Sequence, residues 1–441
     1  MKRVIPLILL LLLASACAVS QQTAPVESTP NTSNVAETAA GQIPLDPAIR
    51  TGRFDNGLTY FIRENHKPEN RAELRLIVNA GSILEDDDQQ GLAHFVEHMA
   101  FNGTEHFAKQ EIIDFLESIG MRFGPDINAF TSFDETVYML TLPLDDPEVV
   151  DKAFLILEDW ASGVSFEGEE IDKERGVVLE ERRLGRGAMA RMMDEQLPIL
   201  LKDSRYAERL PIGKEEVLQG APHETLRKFY RDWYRPDLMA VAAVGDFDAD
   251  EFEKKIEAHF ASLTGPDSER PRKLYPVPEH DETLFAIATD PEATSNSVSI
   301  YYKLDKSPRG SETDYRRELA ESLYHDMLND RLDELRQQPD PPFLFAFSAT
   351  GSFVRTRDVF FLSATVDEGG IERGLETLLT EVERVDRHGF TASELERAKK
   401  DPGIEKLLHD FGAQVVDIRP LDAPQDAATG DTDTGPVKES S

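Results

Sequence analysis

The sequence predicts an α+β fold that contains two copies of one mixed α/β domain, the second copy being incomplete. Strand patterns and helical patterns are intermixed from about residue 53 to residue 265, which is typical of an α+β domain. The chain then repeats itself: residues 137–146 match residues 359–368, and residues 166–173 match residues 390–397. These two matches keep their order and lie 222 and 224 residues apart, so together they indicate a duplicated domain.

The first copy begins near Arg53 and ends near the turn-forming segment 265–268. Asn56-Gly57 predicts a hairpin turn, because both residues adopt positive φ more readily than others. The expected elements are, in chain order, a strand pair over 54–61, a strand at 74–78, a helix from about 89, a strand at 137–142, helices at 147–163, 169–184 and 223–233, and a strand at 239–245. We therefore place the first domain at 46–265.

The second copy is placed at 270–400. A helix follows the repeated strand pattern in both copies, and Thr391 with Glu394 predicts a capping box for the later helix. Pro402-Gly403 interrupts that helix and leaves only residues 415–418 as a compensating strand. The polar composition at the end of the chain predicts an atypical, partly disordered tail at 401–441. The second domain is therefore expected to be truncated.

The composition excludes two classes of partner. The 441 residues are 40% hydrophobic and 30% charged, as in a soluble globular protein. The formal net charge of −35 opposes binding to nucleic acid, and it disfavours docking of a basic patch on anionic lipid. This acidity predicts a well-solvated surface and identifies no substrate.

The N-terminus predicts export. A cationic start, Lys2-Arg3, precedes a short apolar run and the small residues before Cys17, as in a secretory signal at 1–17. Cys17, the single cysteine of the chain, resembles the lipidated cysteine of a bacterial lipobox, although Ala14 stands where Leu is commoner. Residues 18–45 are expected to be a flexible tether. We expect a location in the bacterial periplasm or at the outer membrane, with the lipid as the only membrane contact.

The segment His94-Phe95-Val96-Glu97-His98 carries the strongest chemical signal. On a helix, His94, Glu97 and His98 project from one side, opposite an apolar stripe that includes Phe95 and Val96. Two histidines one turn apart are typical zinc ligands, and a carboxylate beside the open position can act as general base. The alternative is a solvated polar helix face, which the motif alone does not exclude.

A third ligand is expected on the helix at 169–183. Glu174, Val177, Val178 and Glu181 fall at i, i+3, i+4 and i+7, and two carboxylates beside a valine pair need a cation or donors if that face is buried. Glu180 lies on the opposite, charged side. The spacing favours Glu181 or Glu174 over Glu180, against the alternative of an ordinary charged helix.

Several segments together resemble the pitrilysin/insulinase family of zinc peptidases, the inverzincins, and are closest to its secreted bacterial members. They are GLAHFVEHMAFNGTEHF, INAFTSFDETVY, DKERGVVLEERR, RLPIGKEEV and FYRDWYRPDLMAVAAVGDFD. The resemblance extends from about residue 50 to residue 400. It implies duplicated roll domains of the metalloenzyme LuxS/peptidase-like fold.

The resemblance also implies roles for individual residues. His94, His98 and Glu181 correspond to the ligands of one Zn²⁺ per chain, Glu97 to the general base, and Glu174 to a support of the ligands. The gap from His98 to Glu181 is a few residues longer than in well-known members. The family's edge strand, to which an extended peptide adds as an extra strand, corresponds to Asn128, Ala129, Phe130 and Thr131.

Two functions follow as hypotheses. The first is a zinc metalloendopeptidase that cuts peptides or unfolded polypeptides. The second is a non-catalytic peptide-binding or assembly subunit that pairs with a separate pitrilysin-family chain. Since the family closes a chamber around its peptide, we expect either a second such chain or a homodimer. The second copy is expected to bind no metal because Ala398 replaces the counterpart of Glu174. Surface or ordinary core positions are expected for the other histidines, His66, His106, His223, His259, His280, His325, His388 and His409.

Overall fold

The computed structural model describes residues 41–122, 124–185 and 187–400. Within them the chain forms two compact units. The larger comprises residues 41–294 with Tyr302–Asp314 and Gly351–Val359, and the smaller comprises Ser295–Tyr301, Tyr315–Thr350 and residues 360–400. The predicted signal and Cys17, all but the end of the tether, and the tail at 401–441 lie outside the described residues.

A six-stranded mixed sheet is the centre of the larger unit. Its strands lie in the order β1-β2-β6-β3-β5-β4. All neighbouring strands are antiparallel except β2 and β6, which are parallel. The strand bounds are Ile49–Arg53 (β1), Thr59–Glu64 (β2), Arg71–Val78 (β3), Ile127–Thr131 (β4), Thr136–Pro143 (β5) and Met239–Gly245 (β6).

Eight helices accompany these strands in the described part of the larger unit. Their bounds are Leu92–Met99 (α1), Glu111–Ser118 (α2), Pro147–Ser162 (α3), Gly168–Leu184 (α4), Ala188–Leu200 (α5), Glu215–Gly220 (α6), His223–Trp233 (α7) and Ala249–Phe260 (α8). Helix α1 packs against α7, α4 and strand β4, whereas α3 and α8 pack on each other and on β5 and β2. This packing places α1 in contact with both α4 and the end strand β4.

The hairpin predicted at Asn56-Gly57 is present, but its first strand lies further upstream. Strand β1 ends at Arg53 and the turn spans Phe54 to Leu58. Gly57 has a φ of 90°, and a Cβ there would lie 2.9 Å from Cα of Asp237, so glycine is required by both conformation and space. The Asn56 amide donates to the carbonyl of Phe260 at 2.8 Å, which fixes the turn against the end of α8.

Most of the smaller unit consists of residues from a second sheet and three helices. Strands β7 (Asn296–Asp305), β8 (Phe345–Val354) and β9 (Arg357–Val366) lie in the order β7-β9-β8. The helices are α9 (Glu312–Arg336), α10 (Ile371–His388) and α11 (Ala392–Ala398). Its core includes Leu328, Leu362 and Leu378, each fully buried. The predicted capping box is confirmed, since the hydroxyl of Thr391 accepts from N of Glu394 while the Glu394 carboxylate accepts from N of Thr391.

Within the described residues, none of the helices is both long and apolar enough to cross a bilayer.

Candidate metal centre

Helix α1 is held in place by apolar burial and by a buried carboxylate at its N-terminus. Leu92, Phe95, Val96 and Met99 are fully buried, which forces the polar side of the helix towards α4 and β4. Oε1 of Glu85 accepts from the backbone N–H groups of Gly91 at 3.0 Å and Ala93 at 2.8 Å. These are donors that the first turn of a helix cannot pair internally. Position and rotation of α1 are therefore both fixed.

The structure brings His94, His98 and Glu181 together. Nε2 of His94 lies 3.2 Å from Nε2 of His98, and the carboxylate oxygens of Glu181 lie 3.0 Å from Nε2 of His98 and 3.7 Å from Nε2 of His94. In a tetrahedral zinc site with bonds of about 2.0–2.1 Å, neighbouring ligand atoms lie about 3.3 Å apart. The spacing and the chemistry of this donor set therefore fit a zinc ion.

Glu174 orients the second histidine. Its Oε1 lies 2.8 Å from Nδ1 of His98, and the residue is buried, with 7% of its surface exposed. A carboxylate at Nδ1 holds the proton on that nitrogen and turns the lone pair of Nε2 towards the position of a metal. The two glutamates that the sequence left open thus occupy different places, Glu181 at the Nε2 atoms and Glu174 at Nδ1. Glu180 instead pairs with Arg183 on the exposed side of α4.

The sequence-based prediction of the buried face of α4 is wrong at one position. Val178 is fully buried, but Val177 is 51% exposed. The buried stripe runs through Ile171, Glu174 and Val178, which places Val177 and the half-exposed Glu181 at its edge. This edge position lets the Glu181 carboxylate reach both imidazoles from the open side.

Glu97 lies on the same face of α1 and is only 9% exposed. Its Oε2 accepts a hydrogen bond from the hydroxyl of Thr131 at 2.5 Å. Burial raises the pKa of Glu97 to about 7, although the Thr131 hydrogen bond and the charge of His98 oppose the rise. A carboxyl group with a pKa near neutrality can both accept and return a proton, as a general base must.

The two imidazoles differ in their affinity for a proton. Burial, reinforced by neighbouring His98, lowers the pKa of His94 to about 4. For His98, burial lowers the pKa, but the hydrogen bonds to Glu174 and Glu181 outweigh it and raise the pKa to about 9. A histidine binds a metal ion only through an unprotonated nitrogen, so a proton on Nε2 of His98 would oppose a metal ion at this position.

Strand β4 lies at the end of the six-stranded sheet. It contains Asn128, Ala129, Phe130 and Thr131, and it pairs with β5 on one side. Asn128 and Phe130 are exposed while Ala129 and Thr131 are partly buried. The predicted peptide-binding segment is therefore an edge strand, and its last residue contacts Glu97.

Sequence reasoning missed Glu85 and the contact between Thr131 and Glu97. Glu85 lies in the loop before α1, and only the need of a helix for N-terminal acceptors could have drawn attention to it. Thr131 and Glu97 are 34 residues apart in the sequence, and this spacing does not predict their contact. Among the described residues, His94, His98 and Glu181 are also the only group of three or more potential ligands close enough to share a metal ion.

Four other histidines each contact a single carboxylate: His66 contacts Asp246, His106 contacts Asp159, His223 contacts Asp172, and His259 contacts Glu158. Of the remaining histidines, His325 lies between two hydroxyl groups in the smaller unit, and His409 lies outside the described residues.

Comparison with known proteins assigns the chain to a family. The model of the insulinase family (peptidase family M16) matches residues 60–198, and the model of the M16 inactive domain matches residues 221–401. The first half of the periplasmic protease PqqL from Escherichia coli is 31% identical, with a TM-score of 0.76, over 85% of this chain and 80% of that one. The chain belongs to the M16 (insulinase/pitrilysin) family. The predicted family and the duplicated α+β fold are confirmed.

Curated relatives of this M16 chain are named as zinc proteases. The zinc protease PQQL-like of Arabidopsis thaliana is 44% identical over 308 residues, and the probable zinc protease PqqL of Escherichia coli is 32% identical over 361 residues. These alignments cover 69% and 82% of the present chain. They cover 32% and 39% of the relatives, so the M16 chain spans well under half of their length. Family membership supports a zinc-dependent peptidase.

Proposed function

We propose that this chain is a zinc-dependent metalloendopeptidase that hydrolyses peptide bonds in peptides or unfolded polypeptides. The observation that carries the proposal is the convergence of three donor atoms from His94, His98 and Glu181, all within 4.8 Å of one another, beside a buried Glu97 on the same helix. A metal site without an adjacent base would support binding alone. A buried base at the metal site supports hydrolysis.

The residues divide the work as follows. His94, His98 and Glu181 would hold one zinc ion per chain, and Glu174 would keep His98 in the ligating tautomer. When bound, zinc supplies a Lewis acid that polarises a carbonyl group and lowers the pKa of water. Glu97 accepts the proton of the attacking water and returns it to the leaving amine, a use that suits its pKa of about 7.

The geometry of β4 supports an extended peptide as the substrate. An edge strand presents backbone N–H and C=O groups to which a peptide can add as a further strand. Residues 128–131 are proposed to pair with the substrate in this way. Folded helices and sheets have already used these backbone groups, so the proposed substrates are peptides and unfolded segments.

A second chain is proposed to complete the enzyme. The family that this chain resembles closes a chamber around the peptide. On that resemblance we propose a homodimer or a complex with a separate M16 chain. Specific activity should fall on dilution to monomer and recover on addition of the partner. Activity per chain that is unchanged in a verified monomer would refute this requirement.

The match of residues 221–401 to the M16 inactive domain favours a second candidate function, that of a non-catalytic peptide-binding or assembly subunit. Under this alternative the chain would bind zinc and peptide, and a Glu97→Gln variant would bind peptide equally well. An assay of the chain together with its partner distinguishes the two, because a scaffold subunit contributes no Glu97-dependent hydrolysis.

Export with a lipid on Cys17 is proposed for the location. It is supported by the lipobox-like sequence and by the description of Escherichia coli PqqL as a periplasmic protease. Expression in a bacterium fed an alkyne fatty acid should label the wild-type chain and not Cys17→Ala. Equal labelling of both chains would refute lipidation at this residue.

The decisive experiment compares the purified full chain with Glu97→Gln on a pool of quenched peptides, with bound zinc quantified in both. We expect hydrolysis by the wild type that a chelator abolishes, and loss of hydrolysis with retained zinc in the variant. His259→Gln is a suitable control, since His259 contacts Glu158 on the far helices α3 and α8. If the Glu97→Gln variant of the partner-complete enzyme retains full activity, the proposed mechanism is wrong.

A further inference from the structure

We propose that Thr131 is the positioning residue for Glu97, so that the strand that receives the peptide also orients the base. This inference rests on the proposed function. The hydroxyl of Thr131 donates to Oε2 of Glu97 at 2.5 Å, a charge-assisted hydrogen bond of the short, strong kind. Among the described residues, Oε1 of Glu97 has no hydrogen-bond partner. One carboxylate oxygen is thus fixed, and the other remains for proton transfer.

The hydroxyl is itself oriented by its neighbours. Thr131 is paired with Thr136 across β4 and β5, and their Oγ1 atoms lie 3.4 Å apart. Thr136 is fully buried and donates its proton to the carbonyl of Ala80 at 3.0 Å. Because that proton is already used, Thr136 offers Thr131 only a neutral acceptor at 3.4 Å. The Glu97 carboxylate is a charged acceptor at 2.5 Å, so the single proton of Thr131 is directed to Glu97. With Glu97 ionised, Thr131 is therefore the donor of the Thr131–Glu97 hydrogen bond.

The hairpin between β4 and β5 holds the Thr131 hydroxyl in a fixed position. Asp134 in its turn is 7% exposed and contacts Arg272 at 2.8 Å, the hydroxyl of Tyr206 at 2.9 Å, and Arg355 at 3.5 Å. A buried carboxylate with three partners resists displacement because each movement would expose an unpaired charge. Strand β4 is consequently anchored at the end that carries Thr131.

The arrangement links two steps of catalysis. A peptide added to the edge of β4 takes its register from residues 128–131, and the last of these residues fixes the base. Strand β4 then positions both the scissile bond and the general base Glu97. This matters because a displacement of about 1 Å between reacting groups can slow a reaction strongly. Without the hydroxyl, the Glu97 side chain gains rotational freedom while the backbone that pairs with peptide is unchanged.

The test uses the full chain, with its partner if one is needed for activity, and three variants. Thr131→Val removes the hydroxyl but keeps a β-branched residue of similar volume, and Thr131→Ser keeps the hydroxyl. Thr141→Val is the matched control on neighbouring β5, where the hydroxyl of a partly buried threonine is removed away from Glu97. Zinc content and the KM and kcat for a quenched peptide are measured for each.

We expect Thr131→Val to lower kcat by about tenfold to hundredfold, because a poorly oriented general base loses part of its contribution to the rate. KM should stay within about twofold of the wild-type value, and zinc content should be unchanged. Thr131→Ser should recover most of kcat, and Thr141→Val should match the wild type. If the wild type is active and Thr131→Val is equally active, this inference alone is wrong. It is also wrong if Thr131→Val changes only KM, or if its activity falls together with its zinc content. A wild type that hydrolyses no peptide overturns the proposed function and this inference with it.

Discussion

The carboxylate of Glu174 lies 2.8 Å from Nδ1 of His98, one helix supporting a side chain of another. Glu181, seven residues further along α4, lies 3.0 Å from Nε2 of the same imidazole. Two turns of one helix thus contact both nitrogens of one histidine. The position of α4 against α1 therefore determines the tautomer of His98 and the spacing of the donor atoms together.

Zinc affinity should depend on Glu174 although this residue does not touch the metal position. Glu174→Ala leaves Nδ1 of His98 without its acceptor, and the loss of such a partner typically weakens metal binding by roughly 10- to 100-fold. Zinc affinity is measured by competition with a chromogenic chelator. Glu180→Ala on the exposed side of α4 is the control and should leave affinity unchanged. Equal affinities of wild type and Glu174→Ala would contradict the assigned role.

Helical periodicity predicted α1, α3, α4 and α7 closely, because each places buried residues at helical spacing along one face. Periodicity did not predict the rotation of α4 about its own axis to within one residue. Neighbouring positions on a helix differ by about 100°, and Val177 and Val178 fall on opposite sides of the burial boundary. A sequence pattern gives the direction of a face, whereas packing of α4 against α1 and α6 decides where that face ends.

The candidate site was predictable where its residues share a helix and hidden where they do not. His94, Glu97 and His98 follow from i, i+3 and i+4 spacing, and Glu174 and Glu181 from i and i+7. The contacts of Thr131 and Glu85 depend on how separate elements meet in space. Strand β1 was missed for a simpler reason: Arg50, Thr51 and Arg53 are polar, so the edge strand lacks a strong apolar alternation.

Glu85 should make stability depend on pH. Burial raises the pKa of Glu85 to about 8, against the hydrogen bonds from Ala93 and Gly91 that lower it. The folded state therefore binds a proton that the unfolded state releases near pH 4.5, so stability falls as pH rises from about 4.5 to 8. The effect is on the order of a few kcal/mol. Glu85→Gln removes this titration while its carbonyl still accepts from the helix.

The measurement for Glu85 is the free energy of urea unfolding between pH 5 and pH 8.5. Relative to the wild type, Glu85→Gln should gain stability as pH rises across this interval. Glu208→Gln is a control because Glu208 is exposed at 70% of its side chain. Parallel pH profiles for wild type and Glu85→Gln would show that Glu85 is ionised in the folded protein.

The smaller unit should lose stability as the pH falls from about 6.5 to 4, because of His325. His325 contacts the hydroxyls of Ser348 at 2.9 Å and Thr350 at 2.8 Å, and burial lowers its pKa to about 4. A histidine with a depressed folded pKa contributes stability above about pH 6.5, and that contribution is lost as pH falls towards 4. Hydrogen-exchange protection factors in α9 and β8, which are corrected for the intrinsic pH dependence of exchange, should therefore fall between pH 6.5 and pH 4.

His325→Gln is the test, since an amide can hydrogen-bond both hydroxyls without titrating. The variant should show a smaller fall in protection factors between pH 6.5 and pH 4. His388→Gln, an exposed position at the end of α10, should behave as the wild type. Acid-induced exchange that is identical in His325→Gln would assign the opening to carboxylates instead.

The start of α1 should be intolerant of any side chain at Gly91. Its φ is 105°, and a Cβ there would lie 2.9 Å from Cα of Gly213. Gly91→Ala combines a strained conformation with a backbone clash, so it should destabilise the larger unit by about 1–3 kcal/mol. Because α1 carries His94 and His98, two of the three proposed zinc ligands, zinc affinity should fall with the stability of the unit. Urea unfolding and zinc competition measure the two effects.

Gly176→Ala is the matched control within the same unit. Gly176 lies inside α4, and no atom lies within 4 Å of a Cβ placed there. Alanine is favoured over glycine inside a helix by about 1 kcal/mol, so this variant should be more stable than the wild type and should bind zinc equally well. Opposite signs for two Gly→Ala changes would show that local backbone geometry decides the outcome. A neutral Gly91→Ala would mean that the start of α1 can move away from Gly213, and the fixed rotation of α1 would have to be abandoned.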